Sequence, residues 1–109
     1  MLKTFILENT WLNFTQHWFG NGYVVLPEWH KYNGTHYDDI PVEVHGGLTF
    51  GKKVKDIKWE HFAPFIKDLN PEDYVVGFDT AHYDDNLENW GKHEVAQETH
   101  KLSAQLSQF

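Results

Sequence analysis

The stretch YVVGF, residues 74–78, gives the clearest indication of how this chain folds. It is rich in aromatic and β-branched residues, which fit the pleated surface of a sheet. Including the next residue, Asp79, the side chains alternate between two faces of a strand. Tyr74, Val76 and Phe78 lie on one face, and Val75, Gly77 and Asp79 lie on the other. This alternation predicts a central strand of a sheet.

Other β-like segments lie on the N-terminal side of this stretch. Residues 22–27, GYVVLP, form a short β-rich run between a Gly-Asn-Gly turn and Pro27, which stops ladder pairing, so a strand is predicted there. From Pro41 to Phe50 apolar and polar residues alternate, which predicts a half-buried strand interrupted by two glycines. Residues 3–18 show no clean period and could supply a first strand or a short helix.

The C-terminal segment Lys92–Leu106 has the period of a helix. Its apolar stripe advances in steps of four, three and four residues: Val95, Thr99, Leu102 and Leu106. This spacing predicts an amphipathic helix lying on the sheet. The other face is predicted to be solvated: Glu94, Gln97, Glu98, Lys101 and Gln105.

A second helix is predicted from Trp59 to Leu69, with Pro64 tolerated near its start or at a kink. The chain is therefore predicted to be α+β, an antiparallel sheet of three to five strands with one or two helices packed on one face. With 109 residues it has room for one core, so residues 1–109 are expected to form a single domain.

Composition narrows the functional classes. The chain carries nine Lys and no Arg against 16 acidic residues, a formal charge of -7, which argues against direct nucleic-acid binding. No apolar run approaches the ~20 residues that span a bilayer, so no membrane association is expected. The absence of Cys excludes a disulfide framework, and residues 1–11 do not resemble a signal peptide. Both features suit a protein of the cytoplasm.

The 18 aromatic residues exceed what a small core buries easily. Most are expected in the core, and some are expected to line a groove or an oligomer interface. The candidates near loops and element ends are Trp11, Trp18, Phe19, Trp29, Tyr32 and Trp90. We therefore expect a homo-oligomer, with a dimer as the first expectation.

The tetrapeptide HYDD occurs twice, at residues 36–39 and 82–85. Each copy places carboxylates beside an imidazole, the ligand types that divalent cations take, so Asp38 and Asp39 are candidate ligands of a divalent metal. The alternative is that these carboxylates cap turns. A lysine-rich loop at residues 52–58 could bind phosphate or be a solvated turn.

His45, Gly46 and Gly47 interrupt the alternating segment. Two adjacent glycines weaken a strand, so they are expected to serve a purpose. They could let a ligand approach closely while His45 donates to it, or they could form a bulge or a sharp bend.

The segment GFDTAH, residues 77–82, ends the central strand and contributes Asp79 and His82. If the strands are neighbours, then His45, Asp79 and His82 could converge in a two-histidine, one-carboxylate arrangement. The alternative is that Asp79 caps the turn and His82 is a surface or core histidine. The chain contains no nucleophile elbow, phosphate loop or dinucleotide fingerprint, so no catalytic residue is assigned.

The motifs HGGLT at residues 45–49 and GFDxAH at residues 77–82, followed by an acidic amphipathic helix, resemble a family of small phage and prophage proteins of low-GC Gram-positive bacteria. The resemblance covers residues 22–106 but departs over residues 52–73. It implies a phage accessory protein that counters host defence in the cytoplasm of the infected bacterium. The polar residues that recur in the family map onto seven positions: Asp38, Asp39, His45, Gly46, Gly47, Asp79 and His82.

Three functions follow from these residues. The protein could be a binding module that sequesters a small nucleotide-like signal in a pocket built from His45, Gly46, Gly47, Asp79 and His82 with aromatic walls. It could instead be a metal-dependent nucleotide hydrolase. As a third possibility, its acidic surface could imitate nucleic acid and inhibit a host defence nuclease.

Overall fold

The residues that the structure describes form a four-stranded antiparallel sheet with two helices packed against it. The structure is a computed structural model and describes residues 2–8, 20–80 and 88–109. The strands are β1 (Thr4–Glu8), β2 (Gly20–Leu26), β3 (Phe50–Lys53) and β4 (Tyr74–Phe78), and the helices are α1 (Ala63–Ile66) and α2 (Lys92–Leu106). The order in the sheet is β1-β2-β4-β3, and every neighbouring pair is antiparallel. The α+β prediction is confirmed.

Strand β4 lies between β2 and β3, and all five of its residues are buried. The predicted central strand is therefore confirmed. Strand β2, predicted at residues 22–27, runs from Gly20 to Leu26. Gly22 of β2 lies beneath α2, and an added Cβ there would overlap Thr99 Oγ1 and lie 2.6 Å from a ring carbon of Phe78. Glycine at this position lets the helix approach the sheet closely.

Apolar side chains cover both faces of the sheet. The cluster on the side of α2 contains these buried residues: Val24, Leu26, Ile40, Leu48, Tyr74, Val76, Phe78, Val95, Leu102 and Leu106. The cluster on the opposite face contains Leu7, Tyr23, Val25, Phe62 and Val75. The long helix α2 thus occupies one face, whereas Ile66 of α1 packs against the cluster of the other face.

The prediction of a strand from Pro41 to Phe50 is wrong. Residues 41–49 are irregular, and the strand β3 begins only at Phe50. Gly46 and Gly47 have φ angles of 70° and 79°, in the left-handed region, which breaks an extended segment. The alternation has another origin, because Val42 and Val44 pack against the cluster beneath α2 without pairing in a ladder.

The helix predicted from Trp59 to Leu69 is shorter than expected. A 3₁₀ turn covers Glu60–Phe62, and α1 covers only Ala63–Ile66. Pro64 lies in the first turn of α1. Proline is tolerated there because the first helical N–H groups have no partner within the helix, and it would break a helix that started several residues earlier.

Helix α2 spans Lys92–Leu106 as predicted, and its stripe of four residues is buried. Glu94 Oε1 accepts a hydrogen bond from the backbone N–H of Gly91 at 3.1 Å, which caps the first turn. Within the described ranges, no helix has the length and apolar character needed to cross a bilayer.

Candidate functional site

The predicted His-Gly-Gly element is a tight turn beside α2. The backbone N–H of Gly47 donates to the carbonyl oxygen of Val44 at 2.8 Å. A Cβ at Gly47 would meet nothing within 4 Å. No protein group requires the missing side chain at Gly47, whereas its φ angle of 79° suits glycine, as expected for a sharp bend.

His45 is attached to the C-terminal part of the protein by its backbone and its ring. Its backbone N–H donates to Glu98 Oε2 of α2 at 2.7 Å. Its imidazole stacks on Trp90, with ring centroids 3.9 Å apart and planes inclined by 28°. These contacts place His45 on the α2 side of the sheet.

Asp79 lies on the other side. It follows β4, and the pleat of that strand puts it on the face of Val75, where its charge helps to raise the pKa of Tyr23. The structure thus does not bring Asp79 and His45 together on one face. His82, the third member of the predicted arrangement, lies outside the described residues.

Asp38 and Asp39 belong to an exposed 3₁₀ turn, Tyr37–Asp39. The turn is capped by His36, whose Nδ1 accepts from the backbone N–H of Asp38 at 3.2 Å. The second HYDD copy, at residues 82–85, lies outside the described residues. In the part of the chain that the structure describes, no three His, Asp or Glu side chains are grouped so that they could hold a metal ion.

The lysine-rich loop is partly neutralised by Glu72. Lys53 Nζ and Lys55 Nζ lie 3.2 and 2.8 Å from its two carboxylate oxygens. These hydrogen bonds, led by that from Lys55, lower the pKa of Glu72. The lysines at 53 and 55 therefore hold the start of β4 to the end of β3, and are less available to a phosphate.

Part of the α2 face predicted to be solvated is engaged by residues 41–49. Gln105 Oε1 accepts from the N–H of Glu43 at 2.7 Å, and its Nε2 donates to the carbonyl oxygen of Glu43 at 2.7 Å. Glu98 accepts from His45 in the same way. The expectation of a solvated face fails here because this segment crosses the helix with unpaired backbone groups that these side chains satisfy.

Replacing Glu98 by Ala is therefore expected to cost about 1 kcal/mol of unfolding free energy, since it leaves the His45 N–H without its acceptor. Gln97 is exposed on the same helix, and Gln97→Ala should change stability by less than about 0.5 kcal/mol. Glu98→Gln keeps an acceptor oxygen and should recover most of the loss. Urea unfolding of the three variants measures this, and equal stability of the two alanine variants would refute the role of Glu98.

A cavity of about 260 Å³ lies where the start of β1, the end of β2, the start of β4 and the last turn of α2 meet. Its lining is Leu2, Lys3, Val25, Pro27, Trp29, His30, Asp73, Leu106, Ser107 and Phe109. We call it the terminal pocket. Trp29 is 74% exposed and Phe109 is 41% exposed, so two large aromatic side chains stand open to solvent at its wall.

His30 gives this pocket a fixed wall. It is 4% exposed, its Nε2 lies 2.7 Å from the carbonyl oxygen of Leu106, and its Nδ1 accepts from the N–H of Tyr32 at 3.0 Å. A carbonyl oxygen only accepts, so these partners assign the proton to Nε2. Both ring nitrogens are thus occupied, and His30 joins the loop after β2 to the end of α2.

Asn33 anchors the same loop. Its side-chain amide lies 3.0, 3.1 and 3.0 Å from the carbonyl oxygens of Leu26, Pro27 and Glu72. The segment that carries Trp29 is therefore held to β2 and to the residues before β4. A pocket with such anchored walls needs little reorganisation to accept a ligand.

Of the seven predicted site residues, the six that the structure describes do not line the terminal pocket. The prediction that some aromatic residues line a groove does apply to Trp29. His30 and Asp73 were missed because neither belongs to a motif. The available signal was a tryptophan in a polar loop, next to a histidine.

Comparison of the chain with profiles of protein families, with curated proteins and with solved structures found no match.

Proposed function

We propose that the protein is a binding module that sequesters a small, flat, nucleotide-like ligand in the terminal pocket. The observation that carries this proposal is the exposed indole of Trp29 beside a cavity of about 260 Å³. Pockets for drug-sized ligands usually measure about 300–1,000 Å³, so this one suits a ligand the size of a base or nucleoside. Exposed aromatic rings at a pocket offer a stacking surface for such a ring.

The chemistry of the pocket supports binding more than turnover. Both nitrogens of His30 are engaged in structural hydrogen bonds, so its imidazole is not poised as a general base. Asp73 Oδ2 accepts from the N–H of Asn70 at 3.1 Å and helps to shape the turn before β4. In the phage setting that the sequence resemblance implies, the ligand would be a signal of host defence, withheld from its receptor in the bacterial cytoplasm.

Calorimetric titration with adenosine tests the proposal. Because stacking of a base on an aromatic residue contributes ~1–3 kcal/mol, Trp29→Ala should weaken binding roughly 5-fold to 150-fold. Trp59→Ala is the matched control, since Trp59 is also exposed, at 42%, but does not line the pocket. Equal affinities of the wild type and Trp29→Ala would refute the proposal.

The fate of the ligand separates the two leading functions. A sequestering module should release bound adenosine intact when the complex is heated, as measured by chromatography. Conversion of the ligand during incubation would favour the hydrolase instead.

Self-association also remains a prediction. Four large apolar side chains are exposed in the described ranges, and two of them, Trp59 and Phe65, lie away from the terminal pocket. The ring of Phe65 stacks on Phe5 of β1, with centroids 4.9 Å apart, so an apolar surface continues to the edge of the sheet. We propose this surface for a dimer, which light scattering at high micromolar concentration would detect.

A further inference from the structure

The charges and dipoles around the terminal pocket restrict the class of ligand that it can bind. We infer that it selects a planar ring carrying a positive charge, and that it disfavours phosphate groups. This inference rests on the proposed function, because it specifies the ligand of the same pocket.

The first support is the position of α2. Its last turn, through Leu106 and Ser107, forms part of the wall, so the pocket lies at the C-terminal end of a 15-residue helix. The backbone carbonyls at that end carry partial negative charge, which the hydrogen bond from His30 to the Leu106 carbonyl offsets only in part. Anions are bound at the opposite end of a helix, where N–H groups are free. The helix therefore favours a cation and opposes a phosphate at this place.

The charged side chains that line the pocket do not cancel the negative potential at the end of α2. Asp73 contributes a carboxylate, and Lys3 is the one cationic residue among the lining residues that the structure describes. Lys3 is exposed, so its ammonium is well solvated, whereas Asp73 is half-buried. The whole chain adds a formal charge of -7. The lining thus carries one charge of each sign, and the half-buried carboxylate is less screened by water than the exposed ammonium.

The aromatic side chains of the pocket wall also favour a cation. The faces of Trp and Phe rings are electron-rich and attract cations that lie over them. The rings of Phe109 and Tyr32 already have a cation near them, because Lys31 Nζ lies 5.9 Å from the ring centre of Phe109 and 5.5 Å from that of Tyr32. Trp29 is therefore the exposed aromatic residue of the lining that a ligand cation would use. A positively charged ring stacked on Trp29 would gain the same interaction in addition to its buried area.

Three ligands that share the adenosine skeleton test the inference by calorimetry at pH 7: adenosine, 1-methyladenosine, whose ring is cationic at this pH, and adenosine monophosphate. We expect 1-methyladenosine to bind about threefold to tenfold more tightly than adenosine, as cation–π energies suggest, and the monophosphate to bind more weakly than adenosine. Added salt should weaken the binding of 1-methyladenosine and leave adenosine nearly unchanged.

A pair of variants identifies the source of the preference. Asp73→Asn removes the charge but keeps an oxygen for the Asn70 N–H, and it should reduce the preference for 1-methyladenosine over adenosine by about threefold. Asp68→Asn, at an exposed position outside the lining, should leave the preference unchanged.

The outcomes separate this inference from the proposed function. Equal binding of adenosine and 1-methyladenosine, or binding of the monophosphate more tightly than adenosine, would overturn the inference. The proposed function would still stand if adenosine bound and the binding depended on Trp29. If none of the three ligands binds, the proposed function fails for nucleosides and the inference fails with it.

Discussion

Replacing Leu102 by Ala should lower the free energy of unfolding by about 2–5 kcal/mol, the range measured for large-to-small changes in packed cores. Leu102 is fully buried in the cluster between α2 and the sheet. It lies in the middle of the helical stripe, between Thr99 and Leu106, which are also buried. The surroundings are held by strands on one side and a capped helix on the other, so the cavity left behind should collapse only partly.

Lys101→Ala is the matched control. Lys101 is the neighbouring residue on the same helix, and it is exposed. Its replacement keeps good helix propensity and should change stability by less than about 0.5 kcal/mol. Thermal or urea unfolding of both variants measures the difference, and similar losses would show that the assigned face of α2 is wrong.

The elements that could be predicted from the sequence are those with a strong, uninterrupted period. Helix α2 and strand β4 have such periods, and both lie where the pattern placed them. Strand β3 could not be found in this way, because it has only four residues, FGKK, and two of them are lysines. Its neighbour, the alternating segment at residues 41–49, carries the stronger strand pattern but satisfies its backbone groups with side chains of α2.

The candidate site was less predictable than the fold. The sequence motifs group residues that are close together in the chain, such as His45 with its two glycines. The terminal pocket instead draws its lining from four separate parts of the chain, residues 2–3, 25–30, 73 and 106–109. Their proximity depends on the strand order and on where α2 ends, and neither follows from the local pattern of any one segment.

Tyr23 is expected to make stability fall at alkaline pH. It is 3% exposed, and its ring packs among Phe5, Phe50 and Phe62 with centroids 5.0–5.5 Å away. Burial raises the pKa of its hydroxyl to about 12, and the nearby charge of Asp79 also raises it, against a lowering effect of the hydrogen bond from Asn21. In the unfolded chain the pKa returns to about 10.

Because the folded pKa lies above the unfolded one, the unfolded state loses this proton first as the pH rises. The part of the unfolding free energy that depends on the neutral Tyr23 hydroxyl amounts to about 3 kcal/mol in total. It is fully present below about pH 10 and declines between about pH 10 and 12. Tyr23→Phe keeps the ring packing but removes the ionisable hydroxyl. At neutral pH its unfolding free energy should be about 1 kcal/mol lower than that of the wild type, because it lacks the hydrogen bond from Asn21.

The comparison of the wild type with Tyr23→Phe isolates this residue from other groups that titrate in the same range. Burial also raises the pKa of Tyr74, and the hydrogen bond to Glu72 raises that of Lys55, so both proteins should lose some stability above pH 10. Urea unfolding between pH 8 and 12 should show the wild type as the more stable protein at pH 8 and the less stable one near pH 12. A difference that stays constant over this range would mean that the Tyr23 hydroxyl ionises as easily in the folded protein as in the unfolded chain, and that the aromatic cluster around it is open to water.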